Sequence, residues 1–200
     1  MKLVVDCRWV TDDPDDQLSR MTNGIVHALA ERRPFVMIVG PTTALDRLPA
    51  LPWELLPSPY SPAELFTGKK LNSIGADVVL TAAPGLIGIG RRFSLLVTGG
   101  TPQPAENAHR LQHLRTWPWR SRFFRSRMIR SADVVLGVSG AQQRVLLGES
   151  TTNQSVVTLH TDDAASASPD AWRGAAEQLD ALIDEVYTSA RARRDAAGSR

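Results

Sequence analysis

The sequence has one cysteine, Cys7, in 200 residues. An internal disulfide is therefore excluded, and the thiol-poor composition suits a reducing compartment. Charge of a single sign is missing too. Lys and Arg number 23 against 21 Asp and Glu, for a formal net charge of +2. The whole molecule lacks the electrostatic footprint of a nucleic-acid binder, so nucleic acid is not expected as a partner. No run approaches the roughly 20 apolar residues of a membrane-crossing helix. The opening Met1-Lys2-Leu3-Val4-Val5-Asp6 turns acidic at once, without the longer apolar stretch and cleavage site of a signal peptide. These absences predict a cytoplasmic protein, peripheral at the inner face of the membrane if it meets one. His27, His109, His113 and His160 form no metal spacing; His109 and His113 are four apart but have no Glu or third ligand beside them. No metal and no cofactor is expected. Cys7 has no histidine nearby in sequence to activate it and reads as a small buried residue.

What is present is ordinary globular composition, 42% hydrophobic and 22% charged. Short apolar runs rich in Val, Ile and Leu recur at Leu3–Asp6, Phe35–Val39, Trp53–Leu56, Asp77–Thr81, Ser94–Val97, Asp133–Val138 and Val156–Leu159. Near-continuous runs of this kind mark strands covered on both faces, as in a parallel sheet. Helical segments alternate with them, at about Asp16–Arg33, Ser61–Ser73, Asn107–Ser131 and Gly140–Glu149. The alternation predicts an α/β fold: a single Rossmann-like, doubly wound, mostly parallel sheet with helices on both faces. Residues 1–160 would form this domain and 161–168, small and polar, a linker. Ser168 and Pro169 then open a long C-terminal helix over 169–194. Its stripe of Trp172, Ala175, Leu179, Leu182, Ile183, Val186 and Tyr187 predicts that it packs back on the domain. Residues 195–200 are expected to be a disordered tail.

Several motifs, taken in order, carry a resemblance. Leu3-Val4-Val5-Asp6-Cys7-Arg8-Trp9-Val10 opens the chain, and Gln17-Leu18-Ser19-Arg20-Met21-Thr22 leads into a helix that closes on Ala28-Leu29-Ala30-Glu31. Gly75-Ala76-Asp77-Val78-Val79, Leu95-Leu96-Val97-Thr98-Gly99-Gly100-Thr101-Pro102 and Ser131-Ala132-Asp133-Val134-Val135-Leu136-Gly137-Val138-Ser139 follow. Together they resemble the N-terminal, acceptor-side lobe of family-4 glycosyltransferases of the two-lobed GT-B fold. The resemblance covers residues 1–160, and more loosely 169–190. It implies an acceptor cleft bordered by Asp6, Arg8, Ser19, Arg20, Thr22, Thr98 and Ser139. The departures matter as much. Gln17 and Ser19 stand where the family has loop glycines, which let backbone amides approach a diphosphate. Thr98 and Gly99 stand where the family has a His-Asp pair, and threonine does not titrate near neutral pH. Most of the donor-binding lobe has no counterpart. The expectation is a glycosyltransferase-like protein that is not catalytic alone and acts as partner or regulator in cell-envelope glycan or glycolipid assembly. Its partner would be a full-length glycosyltransferase or another envelope-assembly protein. Two alternatives stand beside it: a glycosyltransferase subunit whose donor lobe comes from another chain, and a membrane-surface or protein-binding module.

Two further stretches invite a functional reading. Gly85-Leu86-Ile87-Gly88-Ile89-Gly90 is glycine-rich, but a strand follows it instead of the helix that the dinucleotide fingerprint needs, so it reads as a flexible connecting loop. Between Arg110 and Arg130, arginines interleave with aromatics and no acid interrupts. Arg115, Trp117, Trp119, Arg120, Arg122, Arg125 and Arg127 suit contact with an anionic membrane surface. A basic helix with its aromatics packed inward fits the pattern equally well.

Overall fold

Seven short strands, each the core of one of the apolar runs, form a single sheet: β1 (Leu3–Asp6), β2 (Val36–Val39), β3 (Trp53–Leu55), β4 (Val78–Thr81), β5 (Ser94–Thr98), β6 (Val134–Gly137) and β7 (Ser155–Thr158). The computed structural model describes residues 1–13, 15–83, 85–98, 129–138, 155–161 and 168–198. The order across the sheet is β3-β2-β1-β4-β5-β6-β7, and every neighbouring pair is parallel. The fold is therefore an α/β Rossmann-like sheet, all-parallel among the described strands.

Alternation along each strand builds two cores. Leu3, Val5, Met37, Val39, Val78, Leu80, Leu96, Val134 and Leu136 point to one face; Val4, Ile38, Val79, Leu95, Val97 and Val135 point to the other. The first face is covered by α1 (Gln17–Ala30) and the C-terminal helix α3 (Pro169–Gly198). The second receives Leu71 from α2 (Thr67–Ser73), Ile87 from the β4–β5 connection and Ile129 from just before β6.

Right-handed crossovers explain the division. The β1–β2 connection runs toward one edge and lays α1 on the first face. From β3 onward the chain moves toward the other edge, so the described connections lie on the second face. On the first face α3 lies against β4 and β5 and brings in Trp172, Ala175, Ala176, Leu179 and Ile183, all fully or nearly fully buried. Trp172 lies against α1 at Gly24, where a Cβ would collide with the indole ring. Arg33 pairs with Asp180 and, at 2.9 Å, with Asp184, fixing the end of α1 on α3.

Three local details differ from the sequence reading. The segment expected as one helix over Ser61–Ser73 is a 3-10 turn, Pro62–Phe66, followed by α2. The glycine-rich connection is packed: Leu86–Gly88 form a 3-10 turn and Ile87 is buried. The terminal helix continues past Arg194 through Gly198, over residues expected to be a disordered tail. Asp195 pairs with Arg191 one turn back, and Ala196 and Ala197 are strong helix formers. The helices expected within Asn107–Ser131 and Gly140–Glu149, and the linker, fall mainly outside the described residues. No described helix is long and apolar enough to cross a membrane.

Candidate functional site

Open parallel sheets bind ligands outside the carboxyl ends of their strands, where the strand order reverses. Here that point lies between β1 and β4, beside Asp6, Thr81 and the turn from β1 into α1. In this chain the place is filled by its own side chains.

Asp6 ends β1 and Arg8 follows two residues later. Arg8 Nε donates to Asp6 Oδ1 at 2.8 Å and Nη2 to Asp6 Oδ2 at 2.9 Å. The other edge of the guanidinium meets Glu64, which the 3-10 turn before α2 brings in, with Nη1 to Oε2 at 2.5 Å and Nη2 to Oε1 at 3.1 Å. Nη1 also donates to the Pro57 carbonyl at 2.8 Å. Every N–H of the guanidinium is thereby matched. Thr67 donates to Glu64 Oε2 at 2.8 Å, Thr81 to Asp6 Oδ2 at 3.1 Å, and Trp9 Nε1 to Thr81 Oγ1 at 3.2 Å. Asp6, Arg8, Glu64, Thr67 and Thr81 are all buried, with Glu64 completely so. Burial opposes the charged guanidinium of Arg8, but Asp6 and Glu64 outweigh it and hold its proton more firmly than usual. Burial pushes the Glu64 carboxyl up, and the bonds from Arg8 only partly offset this while Asp6 adds to it. The cluster is a closed interior ion network with two carboxylates around one cation. It anchors the β1–α1 turn to the segment before α2, and Asp6 is its one member that also borders the neighbouring hollow.

The N-terminus of α1 is closed in the same way. First-turn amides and the helix dipole make such an end an anion site. Asp16 caps it instead: its Oδ1 accepts from Leu18 N at 2.9 Å and Ser19 N at 3.3 Å. Ser19 Oγ exchanges bonds with the backbone of Thr11, accepting from N at 2.9 Å and donating to O at 3.2 Å. Asp16 is half-buried, and desolvation raises its pKa against the pull of these amides. Tyr60 stands over the turn, edge-on to Trp9 with ring centroids 5.8 Å apart. Burial, with Asp16 adding to it, pushes the Tyr60 phenol up to about 12. Its neutral form is favoured in the folded state, so this contribution to stability is present below the ordinary value of 10.0 and lost as pH rises through 12. Alkaline titration at 295 nm should show a phenolate appearing near pH 12, and Tyr60→Phe should remove it. Titration of every tyrosine near 10 in the folded protein would contradict this packing.

Of the residues expected to border an acceptor cleft, Asp6 and Arg8 belong to the ion network and Ser19 to the cap. Arg20 is half-buried on α1. Asp6, Thr22 and Thr98 border a hollow between α1 and the ends of β1, β4 and β5, together with Val5, Ile25, Val26, Leu80 and Ala82. The hollow leaves about 10 Å³ for the centre of a water-sized sphere, roughly the room that one water molecule needs. The Thr22 hydroxyl donates to Leu18 O at 2.7 Å, and that of Thr98 to Ala82 O. Ser139 and the arginine-aromatic stretch, with Arg115, Trp117, Trp119, Arg120, Arg122, Arg125 and Arg127, lie outside the described residues.

The remaining candidates have structural surroundings. Cys7 is fully buried, and burial, then Asp6, raises its thiol pKa well above the ordinary value. His27 Nε2 donates to the Arg47 carbonyl at 2.8 Å. Among the described residues no group of His, Cys, Asp and Glu could hold a metal ion. Sequence reasoning passed over Glu64, Asp16 and Tyr60. Ser61-Pro62 before Glu64 marks a helix start, where an acid is unremarkable; nothing local shows that it reaches Arg8. The chain matches no protein-family model and no curated protein.

Proposed function

We propose that this chain is a glycosyltransferase-like protein that does not transfer sugar by itself and serves as partner or regulator of an enzyme in cell-envelope glycan or glycolipid assembly. The observation that carries the first half is the closed β1–α1 turn. Asp16 takes the amides of Leu18 and Ser19 that would otherwise meet a diphosphate, and Arg8 is spent between Asp6 and Glu64. A second anion would meet a carboxylate where it needs donors. The strand order, with β1 beside β4 at the centre, is that of a doubly wound Rossmann-like sheet, the fold class that the resemblance implies. The second half rests on the resemblance.

Calorimetry with uridine- and guanosine-diphospho-sugars, together with affinity purification from the native host, tests both halves. The isolated chain is expected to show no binding tighter than a dissociation constant of about 10 µM, roughly 7 kcal/mol. A full-length glycosyltransferase is expected to co-purify. Tighter binding of a nucleotide-sugar would favour an enzyme, and purification without any glycosyltransferase would remove the partner role.

A further inference from the structure

Exposed apolar side chains scattered singly are ordinary, but three of them here fall together. Leu65 and Phe66, 45% and 64% exposed, end the 3-10 turn that precedes α2. Ile89, 47% exposed, follows the 3-10 turn between β4 and β5. The two segments are in direct contact. A Cβ at Gly68 would collide with the carbonyl oxygen of Ile89, so glycine is what lets α2 lie this close. Asn72 fastens them further along: Nδ2 donates to Gly90 O and Oδ1 accepts from Arg92 N, both at 2.8 Å.

The charge on the same two segments has one sign. Neither 65–76 nor 85–93 contains an acidic residue. Arg91 is tied to Asp133 at 2.5 Å, whereas the side chains of Lys69, Lys70 and Arg92 are exposed beside the apolar group. In a chain of net charge +2 this is a local concentration of positive charge around a protruding aromatic.

We propose that this surface docks the protein on an anionic membrane. Leu65, Phe66 and Ile89 enter the boundary between headgroups and acyl chains, and Lys69, Lys70 and Arg92 meet lipid phosphates. Apolar residues ringed by long basic side chains match both the hydrophobic and the electrostatic parts of interfacial binding. The lysines can lay their stems along the apolar group while their ammonium groups stay in the headgroup layer. Lysine is depleted from protein–protein interfaces, which makes a bilayer the better occupant than a protein. Docking of this kind requires no sugar and no glycosyltransferase partner, so it stands or falls separately from the function proposed above.

Flotation with phosphatidylcholine vesicles, with and without phosphatidylglycerol, tests it at low salt and near 1 M salt, where the Debye length falls to about 3 Å. The wild-type protein should float with the anionic vesicles at low salt, and much less with neutral vesicles or at high salt. Each basic residue at such a surface contributes about fivefold to partitioning. Lys69→Glu with Lys70→Glu should therefore lower the partition coefficient at least tenfold. Phe66→Asp with Ile89→Ser should do the same through the apolar contact. Because these side chains are exposed, both double variants should keep the wild-type circular dichroism and melting temperature. Absence of wild-type binding, equal binding to neutral vesicles, or wild-type affinity in both variants would overturn the proposal. So would wild-type self-association without lipid that both variants abolish, since the surface would then serve a second copy of the chain.

Discussion

A chain ending at Thr161 is expected to be insoluble, or soluble without a cooperative thermal transition. Val78, Leu80 and Leu96 on the first sheet face share a buried cluster with α3, which lies against β4 and β5, and removing α3 would open those side chains to water. Burying one such side chain contributes roughly 1.5–3 kcal/mol, against a total stability of about 5–15 kcal/mol for a domain. Point substitutions divide the effect. Trp172 is fully buried, so Trp172→Ala should cost about 3–5 kcal/mol. Gly24→Ala separates packing from helix propensity. Alanine in mid-helix would by itself add roughly 1 kcal/mol over glycine. In the wild-type protein the new methyl collides with the Trp172 indole, and the overpacking, which costs up to about 3 kcal/mol, should outweigh that gain. In the Trp172→Ala background the collision is gone, so Gly24→Ala should become neutral or stabilising. Chemical denaturation of the four proteins would show the sign reversal. A truncated chain that stays monodisperse and melts at the wild-type temperature would mean that α3 does not support the sheet.

The inner strands were legible because a strand covered on both faces needs no pattern beyond a short run of Val, Ile and Leu; β3 was expected to be covered in the same way, but it is an edge strand with Trp53 and Leu55 exposed. Val78-Val79-Leu80 and Val134-Val135-Leu136 look alike in sequence and sit alike, one on each side of β5. Their order across the sheet was not written in the runs; it follows from which connections cross and from the handedness they share. Boundaries were harder where two structures share one signal. Ser61 as a cap and Pro62 at the first position begin a 3-10 turn as readily as an α-helix. At the other end, the apolar stripe of α3 stops at Tyr187, yet the helix continues to Gly198, with residues 191–196 exposed and an Arg191–Asp195 pair along the way. Periodicity reports the buried part of a helix and is silent about the part that stands in water.

The candidate site was legible in part for a different reason. Asp6 and Arg8 stand out as a motif, but their meaning depends on what faces them. Glu64 is 56 residues from Arg8, and only the folded chain brings the two together. With Glu64 in place, the pair is an interior tie instead of a group open to solvent. The cap at Asp16 shows the same limit. An acid before a helix is a visible start signal, while its capture of two amides, with Tyr60 edge-on to Trp9 beside the turn, is a tertiary fact.

Removing Arg8 is therefore expected to be among the most damaging single changes in the protein. Arg8→Met roughly preserves the volume and leaves Asp6 and Glu64 buried with no cation between them. Breaking one partner out of a buried ion network costs about 3–5 kcal/mol, because the remaining charge is uncompensated. Glu64→Gln should be mild by comparison. It leaves the neutral Asp6–Arg8 pair intact, and the amide oxygen can still accept from Arg8 or Thr67. The two variants should also differ in pH dependence. The folded-state pKa of Glu64 lies above its ordinary 4.5, with burial as the main cause. Its contribution is then fully present below 4.5 and lost as pH rises through the folded value. In Arg8→Met the pull from the guanidinium is gone and the rise should be larger, so this variant should gain stability as pH falls from 7 toward 5. Combining Arg8→Met with Glu64→Gln removes one of the stranded charges and should recover part of the loss at neutral pH, which keeps the test informative if Arg8→Met does not fold. Thermal melts across this pH range would decide. An Arg8→Met protein as stable as wild type at pH 7, with no gain in acid and no recovery in the double variant, would mean that the cluster does not hold the turn.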